Sequence, residues 1–372
     1  MMRSSISQCL HALIRTAIVV AALMAVGPMA LAVPAIARAD APLTPPSQPT
    51  RGLGANGPCA ASTRIEPNPH DITQKITIYS PAGRGATPLT GGHCNDAKRP
   101  VVVVVHGLLA GIDDQLLGSS LLYADIINHF VSTGNVVVFA SWPTNPYDFA
   151  RSVPKEDAAL TIAKNFAPRG DFTRLGIVGH SMGGGAVPYL AQHAVARGWG
   201  SKALWLFQLA PAFATGVGTG KIALPAHTHV VVENYDHDNI LDARLGIDQF
   251  SAYTVPVSNK RYVMVRSDVR GPLQRLDATH LSPNTLLAPN DAVRFFGIYR
   301  VGDALQSCSL TGRFCDTDLS YMGRWSDGRP VTPAISTVHP VDAGPRADAF
   351  SAFGLPGECD TPANPRAAVC PS

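Results

Sequence analysis

The sequence has few charged residues and almost no excess of either sign. Charged residues make up 15% of the chain, and the formal net charge is only +3. Arg3, Arg15 and Arg38 precede the first acidic residue, Asp40, so the rest of the chain has as many basic as acidic residues. A chain without a basic excess lacks the electrostatic footprint of a polyanion-binding protein. We therefore expect no nucleic-acid partner.

Cysteine is also scarce, and no two cysteines have the Cys-x-x-Cys spacing that favours a zinc site. The six that follow Cys9 are Cys59, Cys94, Cys308, Cys315, Cys359 and Cys370. An even set in an exported chain indicates disulfides, although six cysteines permit fifteen pairings. The simplest pairing is local: Cys59 with Cys94, Cys308 with Cys315 and Cys359 with Cys370.

The first 39 residues have the pattern of a secretory signal peptide. An apolar run from residue 16 to 31 follows two arginines, and Ala37-Arg38-Ala39 is a small-x-small cleavage site. A retained membrane anchor is the alternative, but the run is short for a span and is broken by a Gly-Pro pair. We predict a secreted or periplasmic protein with no stable membrane span after cleavage.

The remaining chain divides by composition into three segments. Residues 40–69 are rich in proline and glycine and are interpreted as a linker. Residues 70–308 carry the periodic apolar patterns of one catalytic domain. Residues 309–372 become polar and Pro/Gly-rich again, which indicates a disulfide-pinned tail that wraps the core rather than a second domain.

Short β-branched runs alternate with helical patterns through the central segment. The valine run 101–105 suits a strand that is buried on both faces of a mostly parallel sheet. The alternation predicts an α/β fold with a doubly wound sheet flanked by helices. The stretch 211–228 between two strands is too short for a cap domain. Strands are predicted at 76–79, 101–105, 135–140, 175–178, 203–209, 229–232 and 261–265, and helices at 155–166, 184–196 and 291–305.

One short motif points to nucleophilic catalysis. Gly179-His180-Ser181-Met182-Gly183 follows a predicted strand and precedes a predicted helix. A serine hydroxyl attacks only when a base removes its proton, and the G-x-S-x-G turn presents the serine at an exposed point. We predict that Ser181 is the nucleophile. A Gly-rich turn with an incidental serine is the weaker alternative.

The oxyanion of an acyl-transfer intermediate needs two backbone N–H donors. The residue after the nucleophile, Met182, is the first candidate. The loop after the valine run begins His106-Gly107-Leu108, and Leu108 is the second candidate. We expect His106 to pack beneath this loop rather than to act as a base.

In this type of site the acid and the histidine follow the serine along the chain, in that order. Asp238, in the loop after strand 229–232, is the predicted acid, with Asp236 the first alternative and Asp242 a more distant one. His280, in the loop after strand 261–265, is the predicted base. His227, His229 and His339 are weaker candidates for that role.

These motifs resemble those of the α/β-hydrolase superfamily, in particular its capless secreted members, the chlorophyllase-like and bacterial polyester-hydrolase (cutinase-like) enzymes. The resemblance covers roughly residues 70–305. It implies hydrolysis of carboxylic esters through an acyl-serine intermediate, without a metal or organic cofactor. The sequence departs from the polyester hydrolases at Leu108-Leu109, where those enzymes usually place an aromatic residue that clamps the substrate.

Several other functions use the same residues. An amidase, a peptidase or an acyltransferase could share the triad, and a non-catalytic exported binding protein could share the scaffold. A metal-dependent hydrolase would need a ligand cluster, for which His227, His229, Asp236, His237 and Asp238 are the candidates. We expect a small-molecule or lipid-like ester as substrate. Leu108, Leu109 and Met182 are expected to line the acyl side of the cleft and to favour an apolar acyl group.

Overall fold

A nine-stranded sheet runs through the part of the chain that the computed structural model describes, residues 42–108, 119–144, 148–341 and 357–371. The predicted signal peptide and Leu109 lie outside these residues. The strands of the sheet are β1 (Ala60–Asn68), β2 (Asp71–Ala82), β3 (Arg99–Val105), β4 (Val136–Ala140), β5 (Gly170–His180), β6 (Ala203–Leu209), β7 (His229–Tyr235), β8 (Lys260–Val265) and β11 (Ile335–Thr337). They lie in the order β1-β2-β4-β3-β5-β6-β7-β8-β11. A separate hairpin is formed by β9 (Asp268–Val269) and β10 (Arg275–Leu276).

The six strands from β4 to β8 in this order are parallel to one another, and β1, β2 and β11 add antiparallel edges. Parallel neighbours need crossover connections, and each of these contains a helix except the one between β6 and β7. The helices are α1 (Ala124–Ser132), α2 (Phe149–Phe166), α3 (Met182–Ala196), α4 (Ala243–Ala252) and α5 (Arg300–Thr311), the last preceded by a π-helix (Val293–Tyr299). Short 3-10 turns occupy Ser119–Tyr123, Val257–Asn259 and Ala367–Val369. The connection between β6 and β7 contains no helix, so no cap is inserted there.

Helices cover both faces of the sheet. Alternate valines of β3 belong to two different hydrophobic clusters: Val101, Val103 and Val105 to one, Val102 and Val104 to the other. Helices α2, α3 and α4 pack into the first cluster, and α1, the π-helix and α5 pack into the second. Burial on both faces explains why β3 is an uninterrupted β-branched run. This mostly parallel sheet with helices on both faces is an α/β-hydrolase fold, as the sequence predicts, and its described β6–β7 connection carries no cap domain.

Two segments outside the predicted catalytic domain contribute strands. The segment 40–69, interpreted as a linker, contains β1, and the tail contributes β11 at the opposite edge of the sheet. Most β1 side chains are exposed, so the strand lacks the apolar alternation by which strands are recognised. The predicted helix 291–305 also differs, because its first part is a π-helix and α5 continues to Thr311.

The six cysteines of the described chain form three disulfides. Cys59 pairs with Cys94, Cys308 with Cys315 and Cys359 with Cys370. This confirms the simplest pairing, in which each cysteine joins its neighbour in the sequence.

The tail is also attached through a buried ion pair. The guanidinium of Arg366 binds both carboxylate oxygens of Asp248 in α4, at 2.6 and 2.9 Å. It also donates to the carbonyls of Gly218 and Gly220 in the β6–β7 connection. The amide of Asp242 donates to the carbonyl of Gly357. The last described segment of the tail therefore packs beside the region that follows β7.

None of the helices formed by the described residues is both long and apolar enough to span a bilayer.

Candidate active site

Ser181 lies in the sharp turn between β5 and α3. Its backbone has φ 57° and ψ −123°, a region that residues other than glycine rarely adopt. A β-carbon at Gly179 would lie 2.4 Å from the carbonyl oxygen of Gly183, and one at Gly183 would lie 2.2 Å from that of Val105. Both glycines of the motif are therefore required by close approaches of the backbone, as the G-x-S-x-G turn predicts.

Three polar side chains from different loops meet at this turn. Ser181 Oγ is 3.0 Å from His280 Nε2, and His280 Nδ1 is 2.8 Å from Asp238 Oδ2. All three residues are buried. Because a carboxylate can only accept, Nδ1–H donates to Asp238. In the neutral imidazole Nε2 then carries no proton and can accept the serine O–H. The structure thus brings the three predicted residues into one hydrogen-bonded chain.

The carboxylate of Asp238 is held from its other side as well. Its Oδ1 accepts the backbone N–H groups of Ile240 and Leu241, each at 2.8 Å. These two contacts fix the carboxylate at the end of β7, so that Oδ2 faces the imidazole of His280. The local pattern Asp-Asn-Ile-Leu therefore closes a tight turn around the acid.

The two alternative acids have other partners. Asp236 accepts the backbone N–H of Ser267 at 2.9 Å and its hydroxyl at 2.7 Å. Asp242 begins α4, where it accepts the N–H of Arg244 and pairs with that residue's guanidinium. Neither carboxylate contacts His280. Asp236 instead binds the loop at Ser267, and Asp242 caps the N-terminus of α4.

The other histidines lie apart from this site. His229 begins β7, at the opposite end of the strand from Asp238, and His227 Nε2 bonds a backbone carbonyl. His237 pairs with Asp277 near the surface, at 3.4 Å. His339 is exposed in the tail. The candidate metal cluster is thus spread over both ends of β7, and the described residues contain no group of three or more His, Cys, Asp or Glu side chains that could hold a metal ion.

The loop after β3, here called the Gly107 loop (residues 106–108), packs directly against the nucleophile. A β-carbon at Gly107 would lie 2.7 Å from Ser181 Cβ, so only glycine fits. The backbone N–H groups of Leu108 and Met182 have no hydrogen-bond acceptor among the described residues. Both N–H groups are therefore available for a ligand oxygen at the turn.

His106 lies beneath this loop with both ring nitrogens occupied. Nδ1–H donates to the Gly107 carbonyl at 2.8 Å, and Nε2 accepts the backbone N–H of Trp142 at 3.2 Å. Burial lowers the pKa of His106 to about 4, so the ring is neutral at pH 7. In a trans peptide the C=O and the following N–H point in opposite directions. By holding the Gly107 carbonyl, His106 fixes the direction of the Leu108 N–H.

One residue that supports His280 was not predicted from the sequence. Arg294, in the π-helix, is fully buried and donates to the carbonyls of Ser282, Asn284 and Ala288. All three belong to the His280 loop (residues 277–290). The guanidinium also pairs with Asp125 at the start of α1. In the sequence Arg294 is one basic residue of an amphipathic helix, and only its burial reveals that it ties this loop to α1.

No family model and no curated protein matches the chain. Among solved structures, the chain is similar to an inhibited esterase B from Lactobacillus rhamnosis, with 19% identity and a TM-score of 0.30. The match covers 41% of this chain and 49% of the esterase, so this chain spans about half of that protein's length. The strand order and the helix layers, rather than this similarity, identify the fold.

Proposed function

We propose that the protein is a serine hydrolase that cleaves carboxylic esters through an acyl-serine intermediate. The observation that carries the proposal is the chain Ser181 Oγ–His280 Nε2–Asp238, with distances of 3.0 and 2.8 Å. A nucleophile, a base within hydrogen-bond reach of it, and a third group that orients the base are the parts that acyl transfer requires. The N–H groups of Met182 and Leu108 provide the remaining part.

The proposed acylation begins with proton transfer. His280 Nε2 takes the proton of Ser181 as Oγ attacks the ester carbonyl, and Asp238 stabilises the imidazolium that forms. The carbonyl oxygen becomes an oxyanion that accepts from the N–H groups of Met182 and Leu108. Because these N–H groups are fixed before the reaction, their alignment needs no reorganisation as charge develops.

Collapse of the tetrahedral intermediate breaks the bond between carbonyl carbon and alkoxy oxygen. The imidazolium of His280 gives its proton to the departing oxygen, so the alcohol leaves neutral. Water then attacks the acyl-serine, with His280 again as the base. The second tetrahedral intermediate releases the carboxylic acid and returns the proton to Ser181.

We propose a small-molecule or lipid-like ester with an apolar acyl group as the substrate. Met182 is buried beside the nucleophile, and Leu108 is partly buried and packs against the core. We also propose an extracytoplasmic location, which the three disulfides support because such bonds persist in oxidising compartments. The closer relation to chlorophyllase-like or cutinase-like enzymes stays a prediction.

The decisive experiment labels the purified protein with a fluorophosphonate, which reacts with activated serines. We expect labelling of the wild type, none of Ser181→Ala, and a fall in nitrophenyl-ester turnover of at least about 10³-fold in that variant. Ser201→Ala, at an exposed serine, is the matched control and should label like the wild type. Absence of labelling, or labelling that survives Ser181→Ala, would exclude the proposal.

A second series of assays tests the class of substrate. Nitrophenyl esters of increasing acyl length are compared with their amide analogues on the same preparation. A rate that rises with acyl length supports the apolar acyl group. Equal turnover of the amides would instead identify an amidase with the same triad.

A further inference from the structure

A second chain of hydrogen bonds runs behind the Ser181–His280–Asp238 chain. The backbone N–H of Gly107 lies 3.0 Å from Tyr123 Oη, Tyr123 Oη lies 2.8 Å from His180 Nδ1, and His180 Nε2 lies 2.8 Å from the carbonyl oxygen of His280. Tyr123 and His180 are both buried. The chain thus joins the Gly107 loop, the nucleophile turn and the His280 loop.

The protons of this chain have one consistent arrangement. The His280 carbonyl can only accept, so His180 Nε2 carries a proton. Burial and the neighbouring His280 hold the pKa of His180 well below its usual range, so its Nδ1 is unprotonated and accepts the Tyr123 O–H. Burial raises the pKa of Tyr123 to about 12, so the phenol keeps its proton and its oxygen accepts the Gly107 N–H. Every donor in the chain therefore meets one acceptor.

The residues joined by these hydrogen bonds are distant in the sequence, and they adjoin the Gly107 loop, Ser181 and His280. His180 immediately precedes Ser181, and its ring centroid lies 4.8 Å from that of His280. Gly107 immediately precedes Leu108, and its own N–H is the group that Tyr123 holds. With His106 holding the carbonyl of Gly107, both peptide groups of that residue are fixed by buried side chains.

We infer that Tyr123 and His180 are positioning residues that hold the Leu108 N–H and the His280 imidazole in register with Ser181. The inference rests on the proposed function. Neither side chain is hydrogen-bonded to Ser181 Oγ or to an imidazole nitrogen of His280. Tyr123 Oη contacts the Gly107 N–H, His180 and the Asn284 side chain, and both ring nitrogens of His180 are occupied. The contribution of Tyr123 and His180 is to fix the distance between the oxyanion donor on one side of Ser181 and the base on the other.

Tyr123→Phe removes the hydroxyl and keeps the ring. The Gly107 N–H and His180 Nδ1 then lose their partner, and the two loops are no longer connected through the nucleophile turn. Misplacement of reacting groups by about 1 Å can cost about 100-fold in rate, so we expect kcat to fall about 10- to 100-fold. KM should stay within about threefold, because the lost alignment acts on the transition state more than on bound substrate.

The experiment measures the fluorophosphonate labelling rate, kcat, KM and the melting temperature for Tyr123→Phe, His180→Phe and the double variant. Each rate is divided by the fraction of the protein that is labelled at completion, so that unfolded protein does not affect the comparison. If Tyr123 and His180 act through one chain of hydrogen bonds, the double variant should be no slower than the slower single variant. Tyr262→Phe is the matched control. Tyr262 is fully buried, and its hydroxyl has no hydrogen-bond partner among the described residues. The kcat of this variant should equal that of the wild type.

His180→Gln supplies an independent measurement, since an amide can still donate to the His280 carbonyl. It should recover part of the kcat that His180→Phe loses. A wild-type labelling rate in Tyr123→Phe, or effects that multiply in the double variant, would overturn the inference while leaving the proposed function intact. If the wild type itself does not label, the proposed function fails, and the inference fails with it.

Discussion

Two fully buried carboxyl groups of this protein, Asp238 and Glu156, have opposite surroundings. Asp238 accepts three N–H donors, from Ile240, Leu241 and His280. Glu156, on the core-facing side of α2, has no hydrogen-bond partner for either oxygen among the described residues. Burial, reinforced by the adjacent Asp157, raises the pKa of Glu156 well above its usual value. A buried charge needs partners, and a buried carboxyl without them takes up a proton instead.

The largest expected effect is that of the Asp238 carboxylate on catalysis. Asp238→Asn keeps the shape of the side chain but removes the charge that holds the His280 tautomer, and we expect kcat to fall about 10³- to 10⁴-fold. Asp236→Asn is the matched control, because it lies two residues away and contacts Ser267 rather than His280. Steady-state kinetics on one soluble ester decides between them. If Asp236→Asn is the slower variant, the acid has been assigned wrongly.

A third buried carboxylate, Asp248, tests how much a paired acid depends on its partner. Arg366→Met removes the guanidinium and leaves that carboxylate buried and unpaired, so we expect a loss of about 3–5 kcal/mol in the free energy of unfolding. The exposed pair Arg329–Asp327 offers the control, and Arg329→Met should cost less than about 1 kcal/mol. Urea unfolding of the two variants measures both values. Equal losses would mean that the Asp248 pair does not stabilise the packing of the tail.

Acid should destabilise the fold through His106. Its folded-state pKa of about 4 lies below the usual 6.5, so between these values only the unfolded state binds the proton. The stabilisation is complete above pH 6.5 and is lost as the pH falls towards 4, by about 3 kcal/mol. We expect the stability difference between wild type and His106→Gln to shrink by this amount between about pH 7 and pH 4. The variant His339→Gln, at an exposed histidine, should follow the wild-type curve, and a constant His106→Gln difference would contradict the expectation.

The smallest effect should come from Glu156, with the opposite sign. Above its usual pKa of 4.5, an unfolded chain releases a proton that buried Glu156 keeps, so this residue opposes folding increasingly as the pH rises. Glu156→Gln has no proton to release. Its stability gain over the wild type should grow with pH above 4.5 and vanish below it, as measured by urea unfolding across this range. Glu358→Gln, at an exposed site, should show no such trend, and a pH-independent difference for Glu156→Gln would disprove the assignment.

The fold and the meeting of Ser181, Asp238 and His280 could be predicted, because short sequence patterns and the order of the strands determine them. The valine run 101–105 is apolar on both faces, and the Ser181 turn needs glycine at two fixed positions. The positions of Asp238 and His280 follow from the order of strands. Strand β1 could not be recognised, since its exposed side chains follow no apolar period. The roles of Tyr123 and Arg294 depend on contacts with residues that are distant in the sequence, and no local pattern reveals such contacts.

The three residues of β11 have a consequence for self-association. They pair antiparallel with β8, the last parallel strand, and so occupy hydrogen-bonding groups that would otherwise lie open along that edge. An open parallel edge is a template on which a second chain can add a strand and begin an aggregate. The tail therefore caps this edge of the sheet, and without β11 the edge of β8 would be open to other copies of the chain.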